Sequence, residues 1–344
     1  MRKLTKAATA FVLAMLMGHV ALMNAVAQAD EAAFYDGKTL TFIVGTSAGG
    51  GYDLYMRLLA EYMPRHIPGH PKVVVQNMSN ASGRGAANHI YTQAPKDGTV
   101  FGMCSAGIVL GEALDPAQVR YRSKDFGWIG TMTTMTDVLA VFKTSGVATL
   151  QDAKQTPVIL GAMGKDSALR LQPALVNALL GTKFKIVTGY AGGNEVNLAM
   201  ERGEVSGRTN QWNSWEAQRP QWIEEKKLNY LLQIGPRLPE LAEVPAFGDM
   251  VKDPNHKALV DLLEVLQWVG RAAYTTPGVP NARLAALREA FDKTMIDPDY
   301  IARIETMKLD RYVRSGAETQ AYITRIMSNS EAVAQEFKQL IDMN

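Results

Sequence analysis

The chain has 344 residues, is 47% hydrophobic and 20% charged, and carries 36 Lys and Arg against 34 Asp and Glu. So even a balance, without a basic tract, leaves no electrostatic footprint for nucleic acid or an anionic membrane surface. Cys104 is the single cysteine, which excludes an internal disulfide and a cysteine-based metal cage.

Residues 1–29 read as a secretory leader: Arg2, Lys3 and Lys6 precede the apolar run AATAFVLAMLM, and small residues follow to Ala27-Gln28-Ala29. The run from Ala7 to Met17 falls short of the roughly 20 apolar residues a membrane span needs. The expectation is an exported, periplasmic protein cleaved near Ala29, with 33 basic and 34 acidic residues left once the leader's three cations are gone.

Next comes TFIVGTSAGGGYDLYMRLLAEY, which predicts a strand over Phe42–Val44, a glycine turn, and a helix with Leu54, Leu58 and Tyr62 on one face. Lys72–Gln76 reads as a buried-type strand. The second glycine loop, NMSNASGRG, leads into a helix carrying Ala86, Ala87, Ile90 and Tyr91, and Thr99–Cys104 forms a third strand that buries Cys104 as a small apolar side chain. This βαβαβ order predicts a parallel sheet covered by helices.

The middle of the chain repeats the pattern. Val158–Ala162 is a strand, MGKDS a loop, and Leu171, Leu175 and Leu179 mark a helix; Lys185–Thr188, the loop GYAGGNE, a short helix through Met200 and a strand near Val205 follow. Leu139–Phe142 and Tyr230–Ile234 sit where the chain would cross between lobes and return. The expected organisation is an α/β protein of two lobes, each a mainly parallel sheet flanked by helices. Residues 30–140 plus 235–344 form lobe 1, 141–234 form lobe 2, and two crossover strands form the hinge. The tail from Asn281 reads as mostly helical.

The first turn admits three occupants. Gly45-x-x-x-x-Gly50 opens like a phosphate-binding loop, but Gly51 and Tyr52 stand where lysine and Ser/Thr are required. Gly45-Thr46-Ser47-Ala48-Gly49 fits the G-x-S-x-G elbow of a serine hydrolase, yet few residues precede it and the only late histidine is His256. The third occupant is an anion bound without reaction by a helix N-terminus, where glycines let a ligand approach the backbone N–H groups. Four such loops in two lobes favour this reading, because facing strand ends are where α/β proteins bind ligands. Arg84 and Lys165 add cations at two loops, Thr46 and Ser47 add hydroxyls, and Asp53 is placed to cap the helix or order the loop. Arg208 and Trp212 follow the last lobe 2 strand, with Trp212 offering a face for stacking or for packing. His66 and His70 have metal-like spacing, but Pro68-Gly69 breaks the helix that would align them.

The segment SAGGGYDLYMR resembles the first loop and helix of the substrate-binding proteins of tripartite tricarboxylate transporters, the Bug receptors. VVVQN, APKDG, KDFGWIG, GYAGGNE leading to RGEV, EVPAFGDM and TTPGVPNARLAALREAF extend the resemblance in order along nearly the whole chain after the leader. It implies a two-lobed type II periplasmic binding protein, monomeric and without cofactor, metal or catalysis. Such a receptor binds a small organic acid (di- or tricarboxylate, aromatic acid or amino acid) and serves membrane permease subunits or a sensor kinase. Position by position it points to Thr46, Ser47, Gly50, Gly51 and Asp53, to Ser82 and Gly83, to Ser105, and to Gly164, Asp166, Ser167, Tyr190 and Gly192. Gly45-Thr46 replaces the family's usual Pro-Phe, which removes an aromatic wall and adds a hydroxyl.

Overall fold

A computed structural model describes residues 30–342 apart from 47, 50, 80–82, 164–166, 191, 192 and 329. The leader and the site expectations on Ser47, Gly50, Ser82, Gly164, Lys165, Asp166 and Gly192 therefore lie outside the described residues.

Strands β1 (Thr39–Val44), β2 (Lys72–Asn77) and β3 (Val100–Met103) are parallel, with β1 between the other two. Helix α1 (Gly51–Tyr62) follows β1 and α2 (Arg84–Thr92) follows β2. Tyr55, Leu58, Leu59 and Tyr62 are buried on one stripe of α1, the spacing that lays a helix onto a sheet. Strand β4 (Gly127–Thr131) comes after helix α3 (Gly107–Leu114).

Strands β5 (Asp137–Phe142), β6 (Val158–Gly161), β7 (Phe184–Val187), β8 (Gly207–Gln211) and β9 (Leu228–Ile234) form a second sheet in the order β7-β6-β8-β5-β9. Helices α4 (Ala168–Leu180), α5 (Gly193–Glu201) and α6 (Trp212–Gln218) start beyond the C-terminal ends of β6, β7 and β8. After β9 the chain runs through α7 (Pro254–Val269) and returns as β10 (Ala272–Thr275), then continues through α8 (Asn281–Met295), β11 (Arg314–Ser315), α9 (Gly316–Met327) and α10 (Ser330–Asp342). The first sheet is thereby completed as β11-β4-β10-β3-β1-β2.

Both sheets are mixed. The returning β10 runs antiparallel between β3 and β4, and β5 runs antiparallel between β8 and β9. The chain leaves the first sheet after Thr131 and enters the second at Asp137, so the expected switch between residues 140 and 141 falls inside β5. Apolar periodicity marked this strand but not its partners, and β5 is hydrogen-bonded on both edges through Val141.

Two strands differ from the sequence expectation for opposite reasons. The VVV run of β2 is an edge strand with Val74 47% exposed, because only β1 pairs with it. The strand expected near Val205 begins at Gly207, and its first four residues are buried although they read Gly-Arg-Thr-Asn. Arg208 thus lies on a strand rather than after one, and Trp212 follows it directly. Glycine is required at 207, since a Cβ there would run into the Ala140 carbonyl and Val141 of β5.

Candidate functional site

Three lobe 1 loops meet at the C-terminal ends of β1, β2 and β3. Gly45 packs so closely on Cys104 that a Cβ would lie 2.6 Å from its sulfur, and one at Gly83 would lie 3.1 Å from the Gly45 carbonyl oxygen. Gly83 has φ +90°, a conformation that favours glycine. Cys104 is buried under the junction, accepts a hydrogen bond from the Tyr274 hydroxyl at 2.8 Å, and burial pushes its thiol up to about 12. It is a packing residue, as its place after β3 implied.

Behind the first turn a polar brace sets its shape. Asp53 Oδ2 accepts from Gly49 N at 2.8 Å and Arg57 Nε at 2.9 Å, and Oδ1 accepts from Asn77 Nδ2 at 2.8 Å. Asn77 Nδ2 also donates to the Thr46 carbonyl at 3.1 Å. The hydrogen bond from Arg57 holds the Asp53 carboxyl down at about 2, burial opposes the shift, and Gly49 and Asn77 reinforce it. Asp53 thus takes the loop-ordering role and leaves the Thr46 hydroxyl buried without a partner.

Ser105 Oγ accepts from Gly107 N at 3.2 Å at the start of α3, and its own O–H remains a donor. Tyr52 lies across this third loop, its hydroxyl accepting from Ala106 N at 3.1 Å. Arg84 is half-buried in the first turn of α2, close enough for its charge to act on the Tyr121 hydroxyl.

On the lobe 2 side, Ser167 precedes α4 and its carbonyl accepts from Arg170 N and Leu171 N, while Tyr190 packs half-buried beyond β6. Arg208 is 3% exposed; it donates to the Gly193 and Thr209 carbonyls and stacks on Trp215. Burial lowers its guanidinium to about 10, opposed by the charge of Asp137. It supports the first residue of α5 from below. Trp212 meets Tyr230 edge-on at 5.4 Å and lines a pocket between the lobes with Gln211, Asn213, Thr136, Asp310 and Tyr312. Across this pocket Asn213 Nδ2 donates to Asp310 Oδ2 at 2.6 Å. Burial raises the Asp310 carboxyl above its ordinary range, and the Asn213 bond partly offsets that.

Sequence reading missed Arg271. Its guanidinium stacks on the Tyr52 ring at 3.9 Å and places Nη2 2.9 Å from where a Cβ of Gly51 would stand, at the first residue of α1. The signal was Gly270-Arg271 between an apolar helix and an apolar strand: a charge with no evident reason to be there. Of the described histidines, His66 meets Asp297 at 2.8 Å, His89 meets Gln93 at 3.1 Å and His256 stands 4.0 Å from Asp253, while His70 sits in the turn after Ile67 and donates its backbone N–H to the Ile67 carbonyl at 3.0 Å. No group of three or more metal-ligating side chains occurs among the described residues.

The family model for the tripartite tricarboxylate transporter family receptor matches residues 56–338. The chain belongs to that family. A receptor of this family from Polaromonas, solved without ligand, superposes with a TM-score of 0.70 at 19% identity over 90% of this chain and 100% of its own. MatC from Rhodopseudomonas palustris, solved with bound malate, gives a TM-score of 0.56 at 20% identity, covering 86% and 99%. A protein of the tcbD-tcbE intergenic region of Pseudomonas sp. strain P51 is 23% identical over 296 residues, 84% of this chain and 83% of that protein. The tripartite tricarboxylate receptor family is one of solute-binding proteins, and the two mixed sheets described above are its two-lobed fold. No helix among the described residues is long and apolar enough to cross a membrane.

Proposed function

We propose that this chain is a periplasmic receptor that closes its lobes on a small organic carboxylate and delivers it to a tripartite tricarboxylate-type permease, without catalysis. The observation that carries this reading is the junction of three loops in lobe 1. It gathers the buried, unpartnered Thr46 hydroxyl and the Ser105 O–H, both donors, beside the N-terminus of α1. A carboxylate satisfies such donors, and helix N-termini favour its charge. Support also comes from the malate bound to the similar MatC fold. On this reading Thr46, Gly51, Gly83 and Ser105 supply the lobe 1 half of the site, and Ser167, Tyr190 and Trp212 the lobe 2 half. Asp53 and Arg208 position backbone.

An elbow serine at Ser47 would need a histidine base held by an acid, and of the described histidines only His66 is hydrogen-bonded to a carboxylate, that of Asp297. Activated esters with wild-type and Ser47→Ala protein test that point: the expected turnover is none for either, and turnover lost in the variant would make the chain a hydrolase.

The binding reading is tested by thermal shift with a panel of di- and tricarboxylates, aromatic acids and amino acids. A ligand at 100 times its Kd stabilises by about 2.7 kcal/mol, so at least one acid is expected to raise Tm clearly. A flat response across the panel would overturn the proposal.

A further inference from the structure

Arg271 has a position that packing does not explain. Gly270 has φ +50°, and a Cβ there would collide with the Thr133 carbonyl oxygen, so glycine lets the chain turn sharply out of α7. The next residue is then clamped on both sides: Arg271 N donates to Thr133 O at 2.9 Å, and Met132 N donates to Arg271 O at 2.9 Å. These partners belong to the segment that leaves β4 for the second sheet, so the side chain starts from the base of the cleft and reaches α1.

There the guanidinium is attracted by an aromatic face on one side but opposed by a like partial charge at its Nη2 end. It lies against the face of Tyr52, and Nη2 stands beside Gly51, where the first N–H groups of α1 carry partial positive charge. Its Nε is buried without a partner, and no side-chain hydrogen bond or ion pair of Arg271 occurs among the described residues. Asp310, the nearby acid on which its charge acts, is engaged by Asn213 of lobe 2 instead. A buried N–H left unmatched is costly, and a cation beside a helix N-terminus adds to that cost. An anionic group between the two relieves both, because the planar fork of arginine pairs with a carboxylate through parallel N–H bonds.

We propose that Arg271 is a specificity-determining residue of the cleft, binding a second acidic group of a ligand whose first carboxylate sits at the junction of Thr46, Gly83 and Ser105. This rests on the carboxylate-receptor reading above. Tyr52 fixes the spacing: its hydroxyl is held at the Ala106 amide of the third loop and its ring carries the guanidinium, so the two acid-binding points are one tyrosine side chain apart. The selected class is a short di-acid, and the discrimination is against the same molecule with its second acid neutralised.

The test is calorimetric titration of the whole mature protein with a series of linear dicarboxylic acids and the monoamide of each. Wild type is compared with Arg271→Met, which keeps length and packing but removes charge, and with Arg271→Lys, which keeps charge but loses the fork. On wild type the best di-acid is expected to bind about 10- to 100-fold more tightly than its monoamide. Arg271→Met should erase that ratio by weakening the di-acid alone, and Arg271→Lys should restore part of it. Melting temperatures of the unliganded variants close to wild type would separate recognition from folding. Equal weakening of di-acid and monoamide would assign Arg271 to the first carboxylate or to the scaffold and overturn the proposal, as would no weakening at all. If acids bind but residue 271 does not affect the ratio, only this inference falls. If no acid binds wild type, the receptor reading falls and takes it along.

Discussion

Asp53 acts on the site from behind the turn. Its side chain is almost fully buried, and three donors, Gly49, Arg57 and Asn77, converge on its two oxygens. An amide in its place would turn an NH2 group toward at least one of those donors, so Asp53→Asn should cost about 2 kcal/mol at neutral pH, measured by chemical denaturation. The pH dependence follows from the direction of the shift. The carboxyl titrates at about 2 when folded against 3.8 as its reference, so its contribution is complete above pH 3.8 and is lost as the pH falls toward 2. The stability gap between wild type and Asp53→Asn should therefore close over that window, and a gap that persisted below it would show that shape rather than charge holds the turn.

Strand β8 shows how a polar sequence becomes a central strand. Gly207-Arg208-Thr209-Asn210 is buried between β6 and β5, at the point where the second sheet approaches the cleft. The close approach depends on Gly207, because the obstruction to a Cβ is backbone of β5 and no flexible side chain can move aside. Gly207→Ala should therefore lower stability by about 2–3 kcal/mol, seen as a fall in denaturant midpoint without a change in slope. The same strand marks the limit of sequence reading. Apolar runs made β1, β3 and β6 visible, and apolar stripes the helices after β1 and β6, because packing against a covered sheet imposes those patterns. In β8 the buried positions are polar, so hydropathy placed the strand around Val205 and put Arg208 beyond its end. The glycine loops were legible because close approach and positive φ demand glycine, as at Gly83. Arg271 was not, since its meaning lies in Gly51 and Tyr52, some 220 residues upstream, and no spacing rule connects them.

Over the whole molecule, the lobes are joined more firmly at the back than at the cleft. Helix α10 packs against α3 of the first lobe, α4 of the second and α7 between them, and Phe337 on it is fully buried. One continuous apolar cluster includes Ile43 and Val100 from the first sheet together with Leu139, Val158 and Leu160 from the second. Buried polar bonds add to this tie: Gln172 of α4 and Gln267 of α7 both donate to Asp137 at 2.5 and 2.6 Å. Opening must then bend the crossing segments at 132–136 and 235–238 while this spine stays packed, and the cost is concentrated where the lobes touch at the front. The Asn213–Asp310 hydrogen bond is such a contact, linking the end of the second sheet to the loop that also accepts from the Tyr55 hydroxyl of α1. Neither residue belongs to the junction of glycine loops, so on the proposed reading the bond would favour a closed arrangement without touching the first carboxylate. Asn213→Ala should shift the unliganded protein toward open forms, visible as a larger radius of gyration in X-ray scattering, and should weaken the best carboxylate ligand about fivefold. The liganded radius should stay as in wild type, because the ligand then supplies the closure energy. An unchanged unliganded radius together with unchanged affinity would mean that the spine alone sets the angle between the lobes.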